Sequence, residues 1–287
     1  MNSLIRKKFN ISSNMPDIFP SYWQEDFKID DVLLFRNLDN FVNTVSKLTQ
    51  IQDYNCDITY EEALKKLISK KSDITETTEL TIKNKVKENL HKRGLITEEL
   101  YENFKYAESG TGLGVDIGKY ASGDPDCLLV PSRQYIDYFY ELYVSISYPA
   151  GIPNSFVVEN VIRLLATLEE LEKMHVFVKI SVVLPIECVA RNDDGSQHVN
   201  FFSSIPVFSH KDPKIPHVMS SVINERLLRK FYFAVLEDMY GNNLSTNYGF
   251  IHNLKRTINI GENFDEVELF ERILSEVGVN NDYKKTV

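Results

Sequence analysis

Apolar residues recur every three or four positions in some stretches of the chain and every second position in others, and this alternation predicts the architecture. Between Leu33 and Leu48, residues Leu33, Leu34, Phe41, Val42, Val45 and Leu48 fall at mixed three- and four-residue spacing, which predicts an amphipathic helix. Thr59 followed by Glu61 and Glu62 opens a second helix, with Ala63, Leu64, Leu67 and Ile68 as its stripe. Residues 76–93 read as a polar helix stopped by Gly94, and 98–104 as one more short helix. The first thirty residues, punctuated by Pro16 and Pro20, read as an irregular arm anchored by Trp23. Residues 1–108 are therefore expected to form a mostly helical N-terminal region.

Beyond residue 109 the period changes. Gly110, Gly112, Gly114, Gly118 and Gly123 crowd into one stretch, which predicts a loop set by its backbone. Glu141 to Ser147 then alternates as a strand, with Leu142, Val144 and Ile146 on one face. A turn with Pro149, Gly151 and Pro153 leads into a helix over 155–174, and Val176 to Val189 is a β-rich run. Strand, helix and strand make a βαβ unit with parallel strands and a right-handed crossover. Asn192 to Gly195 marks a hairpin turn, from which Val199 to Phe208 returns. A helix over 217–239, a weak strand over 251–260 and an acidic helix over 264–277, stopped by Gly278, complete the chain. The expected fold is α/β: the helical N-terminal region, then over 109–287 a three-layer domain with a mixed sheet.

Composition adds limits. Of 287 residues, 43 % are apolar and 11 % aromatic, enough for a substantial core. The net charge of −9 sets the chain as a whole against nucleic acid and anionic membranes. No run approaches the roughly 20 apolar residues of a spanning helix. No apolar segment follows Arg6, Lys7 and Lys8, so no signal peptide is expected. Cys56, Cys127 and Cys188 are odd in number and far apart, which suits reduced thiols in a cytosol.

Candidate chemistry is sparse. A phosphate-binding loop needs Ser or Thr after Gly-Lys, and here Gly118-Lys119 is followed by Tyr120. Asp116, Asp124 and Asp126, with Asp193 or Asp194, have carboxylate spacing that suits a divalent cation, and equally the spacing of turn residues. Cys127 has no His within ten residues to activate it and reads as structural. The six His are scattered; His175 falls at a helix end, where its charge is favourable, and His210 and His217 flank Asp212. Lys83, Lys85, Lys87, Lys92 and Arg93, with Lys65, Lys66, Lys70 and Lys71, give residues 65–93 a basic bias. That bias fits a nucleic-acid contact or, since no aromatics are interleaved, a solvated face. The last helix is acidic, opposed only by Arg272.

The run Gly114-Val115-Asp116-Ile117-Gly118-Lys119-Tyr120, continuing through Gly123-Asp124-Pro125-Asp126-Cys127, resembles a signature of an uncharacterised family found in phages and integrated elements. Gly114, Asp116, Tyr120, Gly123, Asp124, Pro125 and Cys127 carry the likeness, and Leu128 stands where that family commonly has Met. More distantly, the strand–helix–strand is similar to a von Willebrand factor A domain, whose strand ends in Asp-x-Ser-x-Ser around a divalent metal. Here Ser145 and Ser147 are present but Tyr143 stands at the Asp place, which implies a degenerate metal site. The expectation is a phage-encoded protein in the cytoplasm of an infected bacterium. It would act without catalysis, through contact with a phage or host protein, as an accessory, assembly or host-antagonist factor. The alternatives are a metal- or nucleotide-binding enzyme using 109–127 and a nucleic-acid-binding accessory protein. A homo-oligomer fits any of these.

Overall fold

Along Tyr138–Ser145 the side chains alternate: Leu142 and Val144 are buried on one side, while Phe139, Glu141 and Tyr143 lie on the other. This two-sidedness runs through the whole sheet. The computed structural model describes residues 5–8, 23, 31–48, 59–69, 74–96, 104–106, 114–124, 127–131, 137–146, 152–192, 195–223, 231, 234–235, 254 and 256–278.

The main sheet has six strands: β1 (Ile5–Lys8), β2 (Asp31–Leu34), β6 (Tyr138–Ser145), β7 (Val176–Asn192), β8 (Gly195–Phe208) and β9 (Ile258–Asn259), in the order β1-β2-β8-β7-β6-β9. β6 and β7 are parallel, joined through the helix Asn154–Glu172, as the βαβ pattern predicts. β7 and β8 form the long antiparallel hairpin. β2 runs parallel to β8, so the N-terminal region shares this sheet. The fold is mixed α/β.

Two local expectations change. The expected helix from Leu33 is a strand followed by a shorter helix, Leu38–Val45. Val32, Leu33 and Leu34 pair with Phe202, Ser203 and Ser204, and Asn37 caps the helix by accepting from the Asn40 amide. Within the supposed arm, Ile5–Lys8 pairs antiparallel with Asp31–Leu34, while Trp23 is fully buried, as an anchor should be. The helix Tyr60–Ser69 starts where expected, with a reciprocal capping box between Thr59 and Glu62. The helix Glu76–Lys92 ends at Gly94, whose φ of +68° is the left-handed conformation that glycine adopts at least cost. Residues 98–103 and most of 224–253 lie outside the described residues; Phe104–Tyr106 is strand, not helix.

The helices Leu38–Val45, Tyr60–Ser69, Glu76–Lys92, Asn154–Glu172, Pro216–Ile223 and Glu266–Glu276 all contribute to one apolar cluster. It includes Leu33, Val144, Val182, Phe201 and Ile205, so these helices lie on one face of the sheet. The alternate residues Val32, Val183 and Phe202 face the other way, where Trp23 and Leu254 cover them. Among the described residues six helices pack on one face, and Trp23, itself in helical conformation, covers the other together with Leu254. Among the same residues, no helix is long and apolar enough to cross a membrane.

Candidate functional site

The glycine-rich stretch is a small structured unit. Strands β3 (Phe104–Tyr106), β4 (Gly114–Val115) and β5 (Leu128–Pro131) form an antiparallel sheet in the order β3-β5-β4, with a short helix, Ile117–Ala121, between β4 and β5. Asp116 caps this helix: its Oδ1 accepts from the Gly118 amide at 3.0 Å and the Lys119 amide at 3.1 Å. Its own amide donates to the Cys127 carbonyl at 2.8 Å, which closes the hairpin. Gly123 turns the chain back with φ of +77°, and Asp124 lies 3.7 Å from Lys119. Cys127 is a half-buried free thiol. Val115, Ile117 and Tyr120 are all exposed.

The metal candidates meet different fates. The described contacts of Asp116 and Asp124 are the amide cap and the lysine pair, while Asp126, Pro125, Ser147, Asp193 and Asp194 lie outside the described residues. Ser145 is fully buried in the main sheet, and its carbonyl accepts from the Ile260 amide. Among the described residues no group of three or more His, Cys, Asp or Glu is arranged to hold a metal ion. Replacing Asp116 with Ala should cost about 1 kcal/mol through loss of the cap. The effect should appear as faster hydrogen exchange at the Gly118 and Lys119 amides, while the main sheet keeps its protection.

The basic helix Glu76–Lys92 is divided. Ile82, Val86 and Leu90 face the core, and Lys83 bonds to Glu169 at 2.7 Å and Glu79 at 2.9 Å. Burial alone would lower the Lys83 pKa; the two carboxylates outweigh it and hold the ammonium above its ordinary value. Lys85, Lys87, Lys92 and Arg93 remain exposed. Lys92 and Arg93 line a cleft of about 650 Å³ with Asn89, Arg163 and the residues from Asn263 to Val267. One wall of the cleft is an ion pair, Arg163 Nη2 to Glu266 Oε2 at 2.5 Å, to which Asn89 adds a bond on Oε1 at 2.8 Å.

A second constellation forms on the sheet face opposite the main apolar cluster, from residues distant in sequence. His175 sits between the helix Asn154–Glu172 and β7 with φ of +60°, a left-handed position that usually falls to Gly. Its Nδ1 lies 3.2 Å from Asp137 Oδ1, and Lys211 Nζ donates to Asp137 Oδ2 at 2.7 Å. These hydrogen bonds, that of Lys211 foremost, hold the Asp137 carboxyl below its ordinary range. Phe139 and Phe177 are partners across the parallel pair β6–β7, their rings stacked 6.1 Å apart and 30° from parallel. His210 meets Phe139 edge-on at 5.2 Å. Burial pushes the His210 imidazole below its usual range, aided by Lys179 and Lys214 and opposed by Glu141. Glu141 binds Lys179 and the Tyr143 hydroxyl; burial pulls its pKa upward, but these bonds win and lower it.

Lys214 holds the loop that carries His210 and Lys211. Its side chain is fully buried, and Nζ donates to the carbonyls of Ser209, His210 and Asp212 at 3.2, 2.8 and 2.8 Å. Glu172 supplies the counter-charge at 2.9 Å. Sequence reasoning noted His175 and His210 singly but missed the cluster. The available signal was the parity of β6 and the residue before it, where Asp137, Phe139 and Glu141 fall on one side.

A family model described only as a domain of unknown function matches residues 30–279. No curated protein matches the chain, and no solved structure does.

Proposed function

The chain belongs to the family of that domain of unknown function, DUF7192, so its role has to be read from its own surface. We propose that the protein works by protein–protein contact, with the hairpin Gly114–Pro131 as its docking tip. The observation that carries this reading is the exposure of Val115, Ile117 and Tyr120, at 47, 79 and 69 %. Three large apolar side chains within six residues are left in water on a unit where Asp116 caps the helix and Lys119 pairs with Asp124. Covering each would return about 1.5–3 kcal/mol, so a partner gains most by seating on this tip. The Asp116 cap and the Lys119–Asp124 pair act as scaffold, holding the short helix so that Ile117 and Tyr120 face outward.

The resemblance of the 114–127 motif to phage and mobile-element proteins supports a phage or host protein as the partner, in the cytoplasm of an infected bacterium. The order of strand 138–145, helix 154–172, strand 176–192 and returning strand 195–208 supports the von Willebrand factor A-like reading. The test is affinity capture by the tagged full chain from nuclease-treated bacterial lysate, compared with the doubly substituted Ile117→Asp/Tyr120→Asp chain. A protein retained by the parent should fall at least tenfold with the variant. Equal retention by both would sink the reading.

A further inference from the structure

The exposed Phe139 end of the sheet face opposite the main apolar cluster has a chemistry of its own. Phe139 is 55 % exposed although the chain has a large interior, and Phe177 lies beside it on the neighbouring strand. Lys211 Nζ sits 4.9 Å from the Phe177 ring centre and 5.7 Å from that of Phe139. The two histidines stand edge-on to these rings, and Lys179 lies two residues along the strand from Phe177. We propose that this patch binds single-stranded nucleic acid, with a base stacked on Phe139 and the flanking phosphates taken by Lys211 and Lys179.

The exposed aromatic ring favours this occupant. The exposed Phe139 ring, with Phe177 stacked against it from the neighbouring strand, offers a π-face on which any base can stack, and such stacking contributes about 1–3 kcal/mol per base. The rim holds two lysines and two histidines, donors suited to phosphate oxygens. The same rim holds Asp137 and Glu141, so near neutral pH the lysines are internally compensated, and phosphate must displace a carboxylate to reach them. Lys211 is free to do so: its side chain is 60 % exposed, while its backbone is fixed by the Lys214 clamp. Its ammonium rests over the rings until a base takes that place. Binding should therefore be led by stacking and only weakly dependent on salt. Two phosphates correspond to a log–log slope of about −1.4. The patch is distinct from the basic helix Glu76–Lys92 and from the hairpin tip, so its failure leaves the contact proposal standing.

The experiment is fluorescence polarisation of a labelled twelve-nucleotide oligo-dT and oligo-rU with the full chain, from 25 to 200 mM salt. Saturable binding is expected, weakened at least fivefold by Phe139→Ala, retained by Phe139→Tyr, and with a slope shallower by about 0.7 in Lys211→Ala. Thermal melts should show both Phe139 variants folded, since that side chain is exposed. The proposal is overturned if no saturable binding occurs at 25 mM salt, or if Phe139→Ala binds as the parent does. It is also overturned if Lys85→Ala/Lys87→Ala abolishes binding while Phe139→Ala does not, which would move the contact to the helix.

Discussion

Replacing Glu266 with Ala should lower the unfolding free energy by about 3–4 kcal/mol, measured by denaturant titration at neutral pH. Glu266 is buried and joins three distant segments: Asn89 on the helix Glu76–Lys92, Arg163 on the helix Asn154–Glu172, and its own helix, Glu266–Glu276. Arg163 also donates to the Phe264 carbonyl and the Asn160 side chain and lies over the Phe264 ring. Removing the carboxylate leaves a guanidinium with only a fifth of its side chain in water and no counter-charge. The double replacement Arg163→Met/Glu266→Leu should lose less than the single, because it removes both charges together. The pH dependence has a definite sign. Burial alone would raise the Glu266 pKa, but the bonds from Asn89 and Arg163 prevail and hold it below the ordinary glutamate range. The stability it contributes is therefore whole above that range and is lost as pH falls through the lowered value. An unchanged midpoint in Glu266→Ala would show that the three segments are held by other contacts.

Lys214→Met should cost about 3 kcal/mol and release the 209–214 loop. Methionine matches the stem of the lysine but gives nothing to the carbonyls of Ser209, His210 and Asp212, and it leaves Glu172 without its partner. Because this loop places Lys211 over Phe139 and Phe177, the loss should spread to the aromatic patch. Amide exchange should accelerate across 209–214, and the aromatic proton shifts of Phe139 and Phe177 should collapse toward their free values. If both stay as in the parent, Lys214 is not what positions the loop.

Elements with a strong local signal were legible in the sequence. The Thr59–Glu62 capping box, the Gly94 and Gly278 stops, and the β6–helix–β7 pattern depend on neighbours in the chain, and the structure shows each of them. The 31–34 strand was not legible, because Val32-Leu33-Leu34 is as compatible with a helix as with a strand until Phe202 and its neighbours are in place beside it. Ile5–Lys8 was hidden for the same reason, since its partner is that strand. The glycine-rich stretch reads as a loop in the sequence, whereas its described part is strand and short helix, because its antiparallel pairing is non-local and left no period. The Asp137, Phe139, His175, Phe177 and Lys211 cluster was invisible for a further reason. Its members come from two strands, a helix end and a loop, and only the parallel register of β6 with β7 and the Lys214 clamp bring them together.

The hairpin tip is the centre of the functional account, and its most direct test is site-specific photo-crosslinking in nuclease-treated bacterial lysate. A photoreactive residue is placed at Tyr120, and for comparison at Leu80, which is also exposed but lies on the helix Glu76–Lys92. One dominant protein adduct is expected from position 120, absent from position 80 and lost when Ile117→Asp is added. The same adducts from both positions, or none from position 120, would contradict this reading.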